Sequence, residues 1–391
     1  MKILFVTHRN VCPLIGGIER VTYSIVEALR DIYGIQSYSL YTEDVQVEAN
    51  VEEVFVRKER LRADNDVQQV VDYISGERID VIVVQGSVIR VNNLMPMLRK
   101  AADQCKTPLV FVFHQMPGAE FRPLDLGALF NRLCHGQNKK AALRQLLIQT
   151  LYRVAPRAAE KLVVKKYKMP YLCADKVVVL SKGYISQYNH FVDGDESRYT
   201  VVNNMLSFPE GVEAEVQKQK EVLIVARMDE RPKRIKTALQ IWKKVCESEW
   251  MLRIVGYGED LEYYKQLVRC SGTRNVTFEG LQDPLPYYRR AGIFMMTSAC
   301  EGFPMTLVEA QQCRCVPIAF DSFSSVHDII QSGRNGYIVP NNDIDEYVRV
   351  LQELMNNDTL RAEMAVNAQK DVLRFSRENI AKQWKTLLEN L

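Results

Sequence analysis

Short apolar runs separated by helical patterns recur along nearly the whole chain, and this alternation constrains the fold more than any other feature. A first series lies at 2–7, 37–41, 81–85, 109–114 and 177–180. A second lies at 222–226, 252–255, 276–278, 294–297, 316–320 and 337–339. The runs are rich in Val and Ile, as strands covered on both faces of a parallel sheet are. Segments between them, such as 17–33 and 236–247, carry apolar residues at helical spacing. Strand–helix alternation predicts an α/β fold with parallel sheets. It pauses over polar, acidic 207–219, which divides the chain into domains 1–203 and 204–375, followed by a helix over 376–391. A chain of 391 residues with 47% apolar content has enough material for two cores.

The nine cysteines do not form a disulfide framework: their number is odd and their spacing irregular. Cys313 and Cys315 form a C-x-C with no histidine nearby, which argues against zinc. The expectation is a cytoplasmic protein with reduced thiols. The first apolar run is too short for a signal-peptide core, and no run reaches the roughly 18 residues of a membrane span. A net charge of +3 does not argue for nucleic acid as a partner.

The charge is unevenly spread. Between 137 and 168 there are nine Lys or Arg and a single acid, Glu160. Leu143, Leu146, Leu147, Leu151 and Val154 share one helical face there. A basic amphipathic stretch fits the anionic cytoplasmic face of a membrane, where each basic residue contributes about 1 kcal/mol. A solvated helix face or a site for a phosphorylated acceptor would have the same pattern.

Four stretches could carry chemistry. Glu301-Gly302-Phe303-Pro304-Met305-Thr306-Leu307-Val308-Glu309 follows a strand; Pro304 suits a first helical turn, and a helix N-terminus favours phosphate. Arg227 leaves a strand end and Lys233 opens the next helical pattern, so the pair could neutralise a diphosphate without metal. Gly16-Gly17-Ile18-Glu19-Arg20 follows the first strand and permits close backbone approach. His114 ends the fourth run. Each of these alone also fits a capped helix, a surface ion pair or a structural histidine. No G-x-G-x-x-G supports a nicotinamide cofactor, and no D-x-D demands Mg²⁺.

In combination these stretches resemble family 4 glycosyltransferases, retaining enzymes of the GT-B fold. The resemblance is strongest over 221–340. There Arg227 with Lys233, Gly256-x-Gly258, Glu301 with Glu309, and Gly333-x-Asn335-Gly336-Tyr337-x-Val339-Pro340 follow in order. It implies two Rossmann-like domains with a deep cleft, the first for acceptor and the second for a nucleotide-diphosphate sugar. It implies that Arg227 and Lys233 grip the diphosphate and that Glu309 bonds the ribose. Glu301 would contact the transferred hexose, and amides at Phe303, Pro304, Met305 and Thr306 would serve sugar and phosphate (Pro304 itself has no N–H to offer). Gly16 and Gly17 would let the first domain approach the donor, and His114 looks like the family's active-site histidine. The terminal helix would pack back on the first domain. A UDP-sugar and a glycan or lipid-linked acceptor of surface polysaccharide are the implied substrates, with no cofactor or metal. The sequence departs from the pattern at Asn203-Asn204, where relatives often read Pro-Asn-Gly, and at Asp328, where many have Glu.

Two other readings remain. A nucleotide-sugar epimerase on the same fold would have no use for the basic segment. A non-catalytic, membrane-associated partner that binds nucleotide-sugar would not need all of Arg227, Lys233, Glu301 and Glu309.

Overall fold

The computed structural model describes the chain except residues 15, 46–50, 87–90, 122–128, 131–132, 134–138, 210–216 and 246–248. It has two compact units. One comprises Met1–Pro117, Glu160–Met205 and Phe375–Leu391; the other comprises Gly118–Ala159 and Leu206–Arg374. The strand–helix alternation assigns 118–159 to the first domain, whereas the fold groups it with the second. That segment packs on itself: Phe121 stacks on Tyr152 with centroids 4.4 Å apart. The residues of the expected basic face at 137 and 138 lie outside the described part.

The first unit is built on seven parallel strands: β1 (Lys2–Arg9), β2 (Gln36–Glu43), β3 (Arg57–Arg60), β4 (Val81–Gly86), β5 (Leu109–Phe113), β6 (Lys176–Val179) and β7 (Tyr199–Val201). Their order is β3-β2-β1-β4-β5-β6-β7. The central strands are apolar because helices cover both faces: Ile3, Leu4, Phe5, Val83, Val84 and Phe111 are fully buried. The helices are α1 (Gly17–Tyr33), α2 (Val67–Glu77), α3 (Met95–Cys105), α4 (Lys139–Val154, in the second group), α5 (Pro156–Cys173) and α6 (Gly183–Val192). Gly34 ends α1 in the left-handed region at φ +64° and returns its N–H to the Arg30 carbonyl.

The second unit has six parallel strands: β8 (Gln219–Val225), β9 (Met251–Val255), β10 (Val276–Gly280), β11 (Ala291–Met296), β12 (Val316–Asp321) and β13 (Tyr337–Pro340), in the order β10-β9-β8-β11-β12-β13. Its helices are α7 (Glu230–Lys233), α8 (Ile235–Val245), α9 (Leu261–Ser271), α10 (Leu285–Arg290), α11 (Met305–Gln312), α12 (Val326–Ile329), α13 (Ile344–Asn356) and α14 (Asp358–Asp371). Its core joins Ile224, Ile254 and Ile318 of the sheet to Trp242, Tyr347 and Leu351 of the helices. Cys313 and Cys315 are buried in this unit, where desolvation pushes their thiols up to about 11 and about 12.

The terminal helix α15 (Arg377–Glu389) belongs to the first unit, packed on α1. Arg377 bonds Asp31 at 2.5 Å and pairs with Glu27 at 3.5 Å, and Lys385 sits 4.8 Å over the Tyr33 ring.

No described helix is long and apolar enough to cross a membrane. Leu143 and Leu147 of α4, Val154 at its end and Leu162 of α5 are exposed, as are Arg144, Arg153, Arg157, Lys161 and Lys165. Leu146 and Leu151 are partly covered.

Candidate functional site

In an open α/β sheet, ligands meet the loops at the carboxyl ends of the strands. The candidate residues of the second unit sit on such loops or on the short helices that follow them. β8 ends at Val225 and hands the chain to Arg227, whose side chain is 71% exposed and pairs with Asp229 at 2.9 Å. The four-residue α7 follows, and Lys233 closes it rather than opening the next helix, as the sequence suggested. Arg234 then takes a left-handed φ of +49°, and α8 begins at Ile235. Pro232 explains the displacement: its ring suits an opening turn, so a short turn forms around it before the longer helix starts.

Lys233 is held from two directions. Its Nζ donates to Glu301 Oε1 at 2.6 Å, with both side chains mostly covered. Its backbone carbonyl accepts from Thr297 Oγ1 at 3.0 Å, which also reaches the Arg234 carbonyl at 3.0 Å. Ala299 N–H donates to the Pro232 carbonyl at 2.7 Å. The loop after β11 is thus laced to the loop after β8, which brings Lys233 and Glu301 together from 68 residues apart.

Glu301 precedes α11, as expected. Pro304 is the cap residue of α11 rather than part of its first turn, and Phe303 beside it is buried. Met305 and Thr306 open the helix and are partly exposed. Glu309 lies in the helix but is only 1% exposed, and its Oε2 accepts from Tyr288 Oη at 2.9 Å. No sequence signal links Tyr288 to Glu309.

The Gly256-x-Gly258 turn after β9 backs this arrangement. A Cβ on Gly256, at φ +136°, would lie 2.0 Å from the Ala226 carbonyl oxygen, and one on Gly258 would lie 2.5 Å from that of Met228. Only glycine allows this approach, which lets Met228 N–H donate to the Tyr257 carbonyl at 3.0 Å.

The first unit offers a different chemistry. His114 follows β5, and its Nε2 bonds Gln85 Oε1 near the end of neighbouring β4. Burial lowers the imidazole to about 4, so it is neutral at pH 7. Gln85 is fully buried. A polar residue closing an apolar run was its visible signal in the sequence. Gly16 caps α1 in an extended conformation, and a Cβ on Gly17 would meet nothing within 4 Å.

Among the described residues no group of three His, Cys, Asp or Glu is placed to hold a metal ion.

Comparison with known proteins gives this architecture a family. The model of glycosyl transferases group 1 matches residues 210–371. The amylovoran biosynthesis glycosyltransferase AmsD of Erwinia amylovora is 30% identical over 268 residues, 64% of this chain and 75% of that relative. The chain belongs to the group 1 glycosyltransferases. It is a glycosyltransferase with the GT-B fold. The solved structure of the lipopolysaccharide outer core galactosyltransferase WaaB in its apo form superposes with TM-score 0.70 at 20% identity, covering 100% of both chains. That of Anabaena Alr3699/HepE in complex with UDP gives 0.73 at 18%, again over 100% of both. At these identities the two structures speak to the fold of the glycosyltransferase.

Proposed function

We propose that the enzyme transfers a hexose from a UDP-sugar to a glycan or lipid-linked glycan of a surface polysaccharide, with retention of anomeric configuration. The observation that carries this reading is the Lys233–Glu301 pair beside the start of α11. It puts a cation, a carboxylate and the start of a helix on adjoining loops, which supports this reading. The relatives lend support: one is named for amylovoran biosynthesis, one for lipopolysaccharide outer core, and one was solved with UDP.

In this scheme Lys233 and Arg227 stabilise the charge that develops on the departing diphosphate. Preplaced charges act on the transition state without reorganisation, and losing one such group typically costs about 10²–10³ in rate. Glu301 bonds the hexose, and Glu309, enclosed beside Tyr288 in this structure, turns to the ribose only when the donor binds. The acceptor hydroxyl attacks from the face the diphosphate leaves, its proton passing to a diphosphate oxygen; no side-chain nucleophile and no metal take part. The neutral His114 hydrogen-bonds sugar hydroxyls. The exposed basic and apolar residues of α4 and α5 rest on the anionic cytoplasmic face of a membrane, where each basic residue adds about 1 kcal/mol.

The test is to incubate the purified enzyme with UDP-, GDP- and ADP-sugars and lipid-linked acceptors, with Lys233→Ala as control. One UDP-sugar giving an α-linked product, lost in the variant, is the expected result. Inverted product or no transfer from any donor would refute the reading. Sedimentation with phosphatidylglycerol vesicles, lost on Lys161→Glu with Lys165→Glu, tests the membrane part separately.

A further inference from the structure

Lys233 stands at the end of a helix of four residues. One helical turn has no stability of its own, so its direction must be set from outside. Thr297 and Ala299 tie its far end, and two carboxylates set its start and its junction with α8. The first N–H of α7, that of Glu230, donates to Asp260 Oδ2 at 2.8 Å, and Asp260 is fully buried. The Asp260 N–H donates back to the Met228 carbonyl at 3.1 Å, so this residue grips the incoming loop twice. Glu230, 3% exposed, takes up the next junction: its Oε2 accepts from the Lys236 N–H at 2.9 Å, in the first turn of α8. Between the two caps lies Arg234 in the left-handed region, a conformation that persists in a non-glycine residue only where its surroundings hold it.

A carboxylate in a dry interior is costly to keep unless it satisfies groups that no apolar side chain could. Here two of them serve the N-termini of successive helices, where N–H groups and the helix dipole favour negative charge. Tyr264 is packed into the same place; its phenol is pushed up first by burial and then by Glu230 and Asp260. Neither carboxylate belongs to the proposed grip on the diphosphate.

We propose that Asp260 and Glu230 are positioning residues for the donor diphosphate, fixing the α7 turn so that Lys233 is aimed before the donor arrives. This rests on the diphosphate reading of Lys233. A pre-set cation binds without the ordering cost of a mobile one, so loosening the turn weakens donor binding while the cation itself remains.

The experiment measures UDP affinity by calorimetry, donor KM and kcat, and amide exchange over 227–236. It uses the full chain carrying Asp260→Ala, Asp260→Asn, Glu230→Ala, Lys233→Ala or Asn357→Ala. Asn357 caps α14 in the same unit through Leu360 N–H at 3.0 Å and serves as a purely structural control. Asp260→Ala should weaken UDP binding about tenfold, the loss of one well-placed hydrogen bond, and raise KM more than it lowers kcat. Exchange over 227–236 should rise. Asp260→Asn, whose amide oxygen still accepts from the Glu230 N–H, should restore most of the affinity, and Asn357→Ala should leave it unchanged. Unaltered affinity in Asp260→Ala, or an equal loss in Asn357→Ala, would overturn the inference. If Asp260→Ala does not fold, Glu230→Ala carries the same decision, with a smaller loss expected and no change as the contrary result. Lys233→Ala separates the two levels: full UDP affinity in that variant removes the diphosphate reading itself.

Discussion

The carboxyl ends of β4 and β5 in the first unit differ in kind from those of β8 and β11 in the second. The first pair of strands presents an amide and a neutral imidazole, Gln85 and His114. The second presents opposite charges, Lys233 against Glu301, with Arg227 exposed nearby in sequence. Both units are parallel sheets, so the difference lies in the strand ends and the loops that follow them. On the proposed reading, it matches what the two halves of a glycosyl transfer require. A diphosphate leaving group calls for fixed cations, whereas neutral sugar hydroxyls need hydrogen bonds and would gain little from net charge.

The comparison breaks most visibly at Lys233. Lys233→Ala should lower the transfer rate about 10²–10³-fold, read in a donor-saturated assay. A loss smaller than tenfold would mean that charge at this position is incidental. His114→Asn should have a smaller effect, about tenfold, since it removes one hydrogen bond and no charge. The same histidine carries a pH signature. Its folded pKa is depressed to about 4, below the unfolded value of about 6.5, so the unfolded chain takes up its proton first. The stability it contributes is present above about pH 6.5 and declines as pH falls toward 4. Urea titrations across that window should slope less steeply in His114→Asn. An identical slope would show that the imidazole is not held neutral.

Next comes Tyr288→Phe. It leaves buried Glu309 without the phenol's hydrogen bond and should cost about 1–3 kcal/mol of stability, measured by denaturant unfolding. No loss would mean that Glu309 is satisfied elsewhere. The smallest expected effect is Gly17→Ala. With open space at the Cβ position, stability should stay within about 0.5 kcal/mol, while any drop in donor affinity would sharpen the view that a ligand approaches there.

Eleven of the strands were legible as short apolar runs, most of them rich in Val and Ile because the central strands of a parallel sheet are covered on both faces. β3 was not: its sequence Arg57-Lys58-Glu59-Arg60 is all charge, because an edge strand needs no buried face. β7 escaped for a related reason, as three residues at the opposite edge. At the site, Lys233 and Glu301 were readable from the order of their motifs. Asp260 and Glu230 were not, since a capping carboxylate that serves another loop 30 residues away leaves no periodic trace. The exposed apolar face of α4 follows the helical spacing of Leu143, Leu147 and Val154. The placement of 118–159 with the second unit had no counterpart in composition.

In the proposed function the second unit, and not the first, reads the diphosphate. The direct measurement is the ratio of UDP to uridine affinity, by calorimetry, in the wild-type enzyme, Lys233→Met and His114→Asn. The ratio should fall at least about tenfold in Lys233→Met, where Arg227 remains, and keep its wild-type value in His114→Asn. Equal weakening of UDP and uridine in Lys233→Met, or a collapsed ratio in His114→Asn, would contradict the proposed function.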